Sequence, residues 1–143
     1  MTNSSLNAAS GLSFHDERTM VRVVHSLLRG AIRRQMWMLM LDDERTLLPP
    51  LMPCSDMPDV PSGDDADSCI SVFDDMLNDV GAAALVVVWE REGGPAPRPW
   101  ELAWASAFHE AAQQVDAPLH AQLLLHDTGV RLLTPADFQA KAA

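Results

Sequence analysis

Apolar residues that recur every three or four positions predict three helices along this chain. The first begins at Ser13, which can cap it, and stops at or shortly after Gly30. The second follows Asp64, whose charge suits a helix N-terminus, and ends near Gly81. The third begins with Pro99, a residue that fits the first turn of a helix.

Short runs that are apolar at successive positions predict strands that are covered on both faces, at 35–41 and 82–89. The three methionines of the first run are therefore expected in the core. Five prolines between positions 46 and 65 predict a long loop with at most a short edge strand near 47–52. A third strand at 119–125, a hairpin turn, a return strand at 130–133 and a capped helical turn at 134–137 complete the chain.

This order of elements predicts the α/β (α+β) class, with a mixed sheet flanked by helices. The length of 143 residues fits one domain. Residues 1–12 are small and polar and are expected to form a disordered tail, which leaves 13–143 as a single domain.

Twenty acidic and ten basic residues give a net charge of −10, which disfavours nucleic acid as a partner. The sequence has neither an 18-residue apolar stretch nor a signal-like start, so we expect a soluble, cytoplasmic protein that does not bind membranes. Cys54 and Cys69 are expected to be reduced packing residues, and neither belongs to a CxxC pair. No metal or other cofactor is expected.

Histidines that could bind a metal are poorly spaced for it. His109-Glu110 is followed by Gln113 where a zincin helix needs its second histidine. His120 and His126 share one face of the third strand, but six residues place their α-carbons about 20 Å apart. His126-Asp127 is either half of a catalytic dyad or a solvated turn.

The loop before the third helix offers a further candidate. Gly93-Gly94 could present backbone N–H groups to an anion, with Arg91 or Arg98 adding charge, whereas the three prolines that follow favour a rigid loop.

Four segments together resemble the RadC-like branch of the JAB/MPN domain family, over about residues 18–138. They are MVRVVHSLLRGAIRRQMWMLMLDDERTLL, SVFDDMLNDVGAAALVVVWE, GGPAPRPWELAWASAFHEAAQQVDAPL and HAQLLLHDTGVRLL. The resemblance implies a three-layer fold of the cytidine deaminase-like type. In metal-binding members, a His-x-His-Pro sequence, a later Asp and an upstream Glu build a zinc hydrolase site.

The positions that the resemblance assigns to this metal site carry other residues. The two histidine places fall on Trp89 and Arg91, the aspartate place on Glu101, and the glutamate place on Leu51 or Met52. Only Glu101 could bind a metal, because indole and guanidinium groups offer no suitable lone pair. We hypothesise that Trp89 fills the volume and that Arg91 supplies the positive charge of the ion, paired with Glu90, Glu92 or Glu101. The alternative is that the loop has lost its constraint and that Arg91 is solvated.

The resemblance therefore implies a noncatalytic interaction, scaffold or regulatory module whose partner is a protein, including a second copy in a homodimer. The expected surfaces are the face of Trp100 or Trp104, the proline-rich segment 48–62 and the groove of the lost metal site. For the two tryptophans, a core position is the alternative that we prefer to an interface. The alternative is an enzyme or small-molecule binder that uses a site elsewhere. The candidate ligand or partner surface comprises Arg91, Arg98, Trp100, Glu101, His120, His126 and Asp127.

Overall fold

The computed structural model describes residues 16–28, 31, 33–55, 57–58, 60–61 and 64–142. Helices and strands alternate along these ranges. In chain order they are α1 (Glu17–Leu28), β1 (Gln35–Leu41), β2 (Leu47–Cys54), α2 (Asp65–Val80), β3 (Ala84–Glu90), α3 (Pro99–Val115), β4 (Leu119–His126), β5 (Gly129–Leu133) and α4 (Pro135–Ala142).

Within the described ranges, five strands form one sheet in the order β2-β1-β3-β4-β5. β3 and β4 are parallel and are joined through α3, whereas the other neighbouring pairs are antiparallel. The mixed sheet flanked by helices that the sequence predicts is thus confirmed.

Each face of the sheet carries its own apolar core. α1 covers one face, where Met20, Val23 and Val24 pack with the even-numbered residues of β3. α2, α3 and α4 cover the opposite face, where the odd-numbered residues of β3 pack with all three methionines of β1. This alternation follows from the two-residue period of a strand, and it confirms the prediction that the methionines are core residues.

β2 shows how a strand accommodates prolines. It lies at the edge of the sheet and pairs with β1 alone, so an N–H missing on its outer side costs no ladder bond. The register shifts where residues 49–51 lie opposite the single residue Leu39 of β1, which places Pro49 and Pro50 in an irregular part of the ladder. The predicted edge strand near 47–52 is therefore confirmed, although it continues to Cys54.

The helix ends follow local capping chemistry. Asp16 accepts a hydrogen bond from the Thr19 N–H at 2.8 Å and caps α1, whereas the predicted cap Ser13 and the predicted stop Gly30 lie outside the described residues. α2 ends at Gly81, which has the left-handed conformation expected of a helix C-terminus. The predicted helical turn at 134–137 is the start of α4, eight residues long.

The expected tail 1–12 lies outside the described residues. Among the helices that the structure describes, none combines the length and apolar character needed to cross a bilayer.

Candidate functional site

The candidate site lies where the parallel strands β3 and β4 end beside the first turn of α3. In α/β proteins, this carboxyl edge of the sheet is the usual place for a ligand. The strand period turns Trp89 and Arg91 toward α3 and turns Glu90 toward the α1 side.

Arg91 is buried, with only 2% of its surface exposed, and its guanidinium donates to three different groups. Nε and Nη2 bind the two carboxylate oxygens of Glu101, the latter at 3.3 Å. Nη1 donates to the Gly94 carbonyl, and Nη2 also donates to the Ala96 carbonyl at 2.8 Å. The loop thus turns carbonyl oxygens toward a cation, so the Arg91 guanidinium is not available to an incoming anion.

Glu101 is fully buried and is the third residue of α3. Its Oε2 also accepts a hydrogen bond from the backbone N–H of Arg98, the N-cap residue, at 2.8 Å. A glutamate at the third position of a helix commonly makes this bond to the N-cap. A forked arginine–carboxylate contact of this kind is among the stronger hydrogen-bonded ion pairs. Both carboxylate oxygens are therefore engaged, one of them by two donors.

His126, at the end of β4, is buried next to this ion pair. Burial, and next the positive charge of Arg91, lower the pKa of His126 from its usual value of 6.5. Its Nδ1 lies 3.3 Å from the backbone nitrogen of Thr128 and accepts that N–H, which fits a neutral imidazole. Asp127 is exposed, and its backbone N–H donates to the Gly93 carbonyl, so the hairpin turn holds the loop in place.

Trp89 is fully buried and fills the space beside the ion pair. Its ring packs on Phe108 with centroids 5.1 Å apart and on Trp104 at 6.1 Å. Its Nε1 donates to Gln122 Oε1 at 2.9 Å, and Gln122 Nε2 donates to the Ala105 carbonyl of α3 at 2.9 Å. The indole is thus fixed by packing and by a satisfied polar chain.

Glu90 performs the equivalent role on the other face of the sheet. Its carboxylate accepts the Trp37 indole N–H at 2.8 Å, the Gln35 amide at 3.0 Å and the Arg33 backbone N–H at 3.2 Å. Glu90 therefore ties the end of β3 to the start of β1 and does not pair with Arg91.

The positions assigned to the upstream glutamate are not equivalent in the fold. Leu51 packs in the core on the α1 side, away from Trp89, whereas Met52 packs on the same side as Trp89. Strand β1 lies between β2 and β3, and its Met36 pairs with Cys54 on one side and with Trp89 on the other. In the same way, Met38 pairs with Met52 and with Val87, so Met52 is aligned with Val87 and not with Trp89. Of the two, only Met52 shares a face with the Arg91–Glu101 pair.

Several residues predicted to form a ligand or partner surface are buried, which corrects that expectation. Arg91, Glu101 and His126 are enclosed. Trp104 is a core residue, which is the preferred of the two positions predicted for it, and its Nε1 donates to the Pro58 carbonyl at 2.8 Å. Helix periodicity cannot separate an inward from an outward tryptophan when both sides of the helix are apolar.

The remaining candidates lie at opposite ends of β4: Arg98 and Asp127 both adjoin Gly93 at its carboxyl end, whereas His120 lies at the other end. Arg98 and Asp127 are exposed, and Trp100 is half-buried. His120 is half-buried at the opposite end of β4, beside His109, so the structure does not bring it to His126. His109 itself contacts the Phe138 ring, with centroids 5.4 Å apart.

Sequence reasoning missed a cavity of about 210 Å³ beside Trp89. Its other lining residues are Arg34, Gln35, Met57 and Trp100, and the Arg34 guanidinium stacks 4.3 Å from the Trp100 ring centroid. Sequence reasoning also missed Gln122, although a lone amide within the apolar run LHAQLLLH signals a buried hydrogen-bonding role.

Cys54 and Cys69 are free thiols, and burial raises the pKa of both. In the part of the chain that the structure describes, no three His, Cys, Asp or Glu side chains lie close enough to hold a metal ion.

Comparisons with known proteins found no matching family and no similar curated protein. The resemblance to the JAB/MPN domain family therefore stays a hypothesis that depends on the sequence pattern.

Proposed function

We propose that this chain is a noncatalytic RadC/JAB-like interaction module that acts as a scaffold or regulator without metallohydrolase activity. The observation that carries the proposal is the buried Arg91–Glu101 ion pair at the carboxyl edge of β3 and β4. Under the resemblance, Trp89, Arg91 and Glu101 take the places of three zinc ligands, and this ion pair joins the last two. We further propose a cytoplasmic location, in keeping with the two free thiols.

The chemistry of the pair explains why it opposes metal catalysis. Catalytic zinc needs about three protein lone-pair donors and an open position for water. Arg91 offers only N–H donors, and Glu101 already accepts hydrogen bonds on both carboxylate oxygens. A cation brought to this position would meet the fixed charge of Arg91, which occupies the place of the ion.

The experiment measures metal content and hydrolysis in the same preparation. The untagged protein is incubated with excess Zn²⁺, gel-filtered and analysed by mass spectrometry for metal, and its hydrolysis of peptide and isopeptide substrates is assayed with and without a chelator. We expect well below one zinc per chain and no chelator-sensitive hydrolysis. Stoichiometric zinc, or a hydrolytic activity that the chelator abolishes, would overturn the proposal.

A matched variant tests whether the position itself suits a metal. The double substitution Trp89→His/Arg91→His restores the His-x-His pattern beside Glu101. If the resemblance is correct, this variant should gain about one zinc per chain, whereas Trp37→His/Arg131→His, which alters another tryptophan and another arginine, should gain none. Failure of a folded Trp89→His/Arg91→His variant to bind zinc would contradict the assignment of these places.

The cavity beside Trp89 supports a second candidate function, the binding of a small molecule. Its volume of about 210 Å³ and its two tryptophans suit a compact, partly aromatic ligand. A ligand screen by thermal shift tests this candidate. A genuine ligand should raise the melting temperature of the wild-type protein but not of a Trp100→Ala variant, and a screen without such a ligand would contradict it.

A further inference from the structure

Basic and acidic residues are segregated along this chain. The sequence has no acidic residue between positions 18 and 41, yet five of its ten basic residues lie there: Arg18, Arg22, Arg29, Arg33 and Arg34. The other five share the rest of the chain with all twenty acidic residues. Most of α1 belongs to this basic segment, so the helix carries positive charge in a protein whose net charge is −10.

Three basic side chains lie on one side of α1. Arg18, Arg22 and His25 are four and three residues apart, so they are neighbours on the helix surface and span about 10 Å along its axis. All three are exposed, whereas Met20 and Val24 pack against the sheet. Because arginines four residues apart repel each other, this arrangement favours an anion between them.

The three basic side chains line a cavity of about 460 Å³. The rest of its lining comes from Val21 of the same helix and from the turn between β4 and β5, with Thr128, Gly129 and Val130. The two valines also pack against the core on this face of the sheet, and they give the cavity an apolar part. Its volume lies within the range of small-molecule sites.

No acidic residue is among the described residues that line this cavity. In the described part of the chain, the three basic side chains form neither a hydrogen bond nor an ion pair. Hydrogen bonds from Thr19, and to a smaller extent the charges of Arg22 and Arg18, lower the pKa of the nearby Asp16. The Asp16 carboxylate is thus engaged by Thr19 at the N-terminus of α1, and the cavity keeps its N–H donors for a ligand.

A phosphate group fits these donors better than a carboxylate does. A phosphate monoester carries about −1.5 to −2 charge at pH 7 and three strong acceptor oxygens, whereas a carboxylate carries one charge and two oxygens. The guanidinium groups of Arg18 and Arg22 are permanently charged and bind such oxygens through two N–H groups at once. The imidazole of His25 and the hydroxyl of Thr128 can donate to the remaining oxygen.

The charge of the whole protein favours a small ligand over an extended polyanion. A nucleic acid or an anionic membrane presents many charges, which a net charge of −10 repels. A small anion inside the cavity experiences mainly the arginines beside it, because the Debye length is about 8 Å at physiological ionic strength.

We propose that the cavity between α1 and the β4–β5 turn binds the phosphate group of a small phosphorylated molecule. Arg18 and Arg22 bind the phosphate, and the apolar part of the ligand contacts Val21 and Val130. The inference goes beyond the proposed function and does not depend on it, because this cavity lies on the α1 side of the sheet, opposite to α3.

Amide NMR spectra of the full isotope-labelled chain, in a phosphate-free buffer at physiological ionic strength, locate and measure the binding. The probe is phenyl phosphate, and benzoate is the aromatic control with a single charge. We expect saturable shifts at residues 18–25 and 128–130, with a dissociation constant for phenyl phosphate below about 1 mM. Benzoate should bind at least about fivefold more weakly.

Two variants each remove one cation from the cavity. Arg18→Gln and Arg22→Gln should weaken the binding of phenyl phosphate by at least about tenfold, because each loses charged hydrogen bonds to the phosphate. Both variants should fold, since removing one of two like charges on a helix relieves a repulsion, and circular dichroism verifies this.

Arg33→Gln is the matched control. Arg33 is exposed and belongs to the same basic segment, but it does not line the cavity. The control has the same net charge as the test variants, so it separates a specific site from a general attraction of anions to this segment. It should bind phenyl phosphate within about twofold of the wild-type protein.

Co-sedimentation with vesicles distinguishes a lipid headgroup from a small ligand. We expect no retention by phosphatidylcholine vesicles, with or without phosphatidylserine. Four results would overturn the inference: no saturable shifts with phenyl phosphate, shifts confined to other residues, an equal loss of binding in Arg33→Gln and Arg22→Gln, or retention by the anionic vesicles. None of these results bears on the metal analysis of the proposed function, so the two proposals can fail separately.

Discussion

Replacing Arg91 with methionine would leave Glu101 as a buried carboxylate without its cation. Glu101 would keep one donor, the Arg98 backbone N–H, while the Gly94 and Ala96 carbonyls would lose the donor that holds the loop. Methionine preserves much of the length and apolar stem of arginine, so the substitution removes mainly the charge and its hydrogen bonds.

The structure sets the expected size of this loss. Breaking a buried ion pair by removing one partner costs about 3–5 kcal/mol, and this pair is 3% and 0% exposed. Such a loss is a large part of the roughly 5–15 kcal/mol by which domains are stable. At about 2–4 °C per kcal/mol, the melting temperature should fall by on the order of 10 °C.

Urea denaturation followed by circular dichroism measures the effect as a lower midpoint at unchanged slope. Arg131→Met is the matched control, because Arg131 pairs with Asp137 at 2.8 Å on the surface, where its side chain is 40% exposed. An exposed pair contributes about 0–1 kcal/mol, so this control should change the midpoint little.

A double variant provides the sharper test. Arg91→Met/Glu101→Leu removes both charges, and replacing a buried pair by apolar side chains is often nearly neutral. The double variant should therefore be more stable than Arg91→Met alone. The reasoning is refuted if Arg91→Met costs no more than Arg131→Met, or if removing Glu101 as well makes the protein less stable still.

Three further predictions follow from the same site. Burial and Arg91 lower the pKa of His126, so the unfolded chain binds the proton more readily than the folded protein does. The free energy of unfolding should therefore decrease as the pH falls below about 6.5. Urea midpoints measured across this pH range should decrease less steeply in His126→Gln than in the wild-type protein. Gly93→Ala should lower the free energy of unfolding by about 1–3 kcal/mol, because φ is +115° and a Cβ at this position meets the Arg98 guanidinium. Gly94→Ala is the control, because the space around Gly94 is open, and it should change this free energy by no more than about 0.5 kcal/mol in the same urea denaturation assay. Gln122→Leu should lower the free energy of unfolding by about 1–3 kcal/mol, because it leaves the buried Trp89 indole N–H without an acceptor. In a Trp89→Phe background this N–H is absent, so an equal loss from Gln122→Leu there would contradict the explanation.

Particular residues show how far the sequence alone reaches. The methionines of β1 were correctly predicted in the core because a strand apolar at every position has no solvent-facing side. The length of β2 was underestimated. The prolines show that backbone N–H donors are missing, but the sequence cannot show whether those positions face the neighbouring strand or the open edge of the sheet. The core position preferred for Trp104 is confirmed, but the surface alternative stayed open because α3 is apolar on both faces and its periodicity does not define its rotation.

The candidate site was predictable in its residue types but not in its geometry. The sequence places Trp89 and Arg91 at the end of a buried strand, and side-chain chemistry by itself excludes both as zinc ligands. It left Glu90, Glu92 and Glu101 as equal partners for Arg91, because adjacency in the chain says nothing about which face each side chain occupies.

Local chemistry along the chain thus determined the alternation of helices and strands, the core face of each strand and the absence of the His-x-His pair. Only the tertiary structure decided which charges became buried. The crossover from β3 through α3 to β4 returns the first turn of the helix to the strand end, and this brings Glu101 into contact with Arg91 across ten residues of sequence. A buried charge is stable only beside its counter-charge, and that proximity is a property of the fold rather than of either segment.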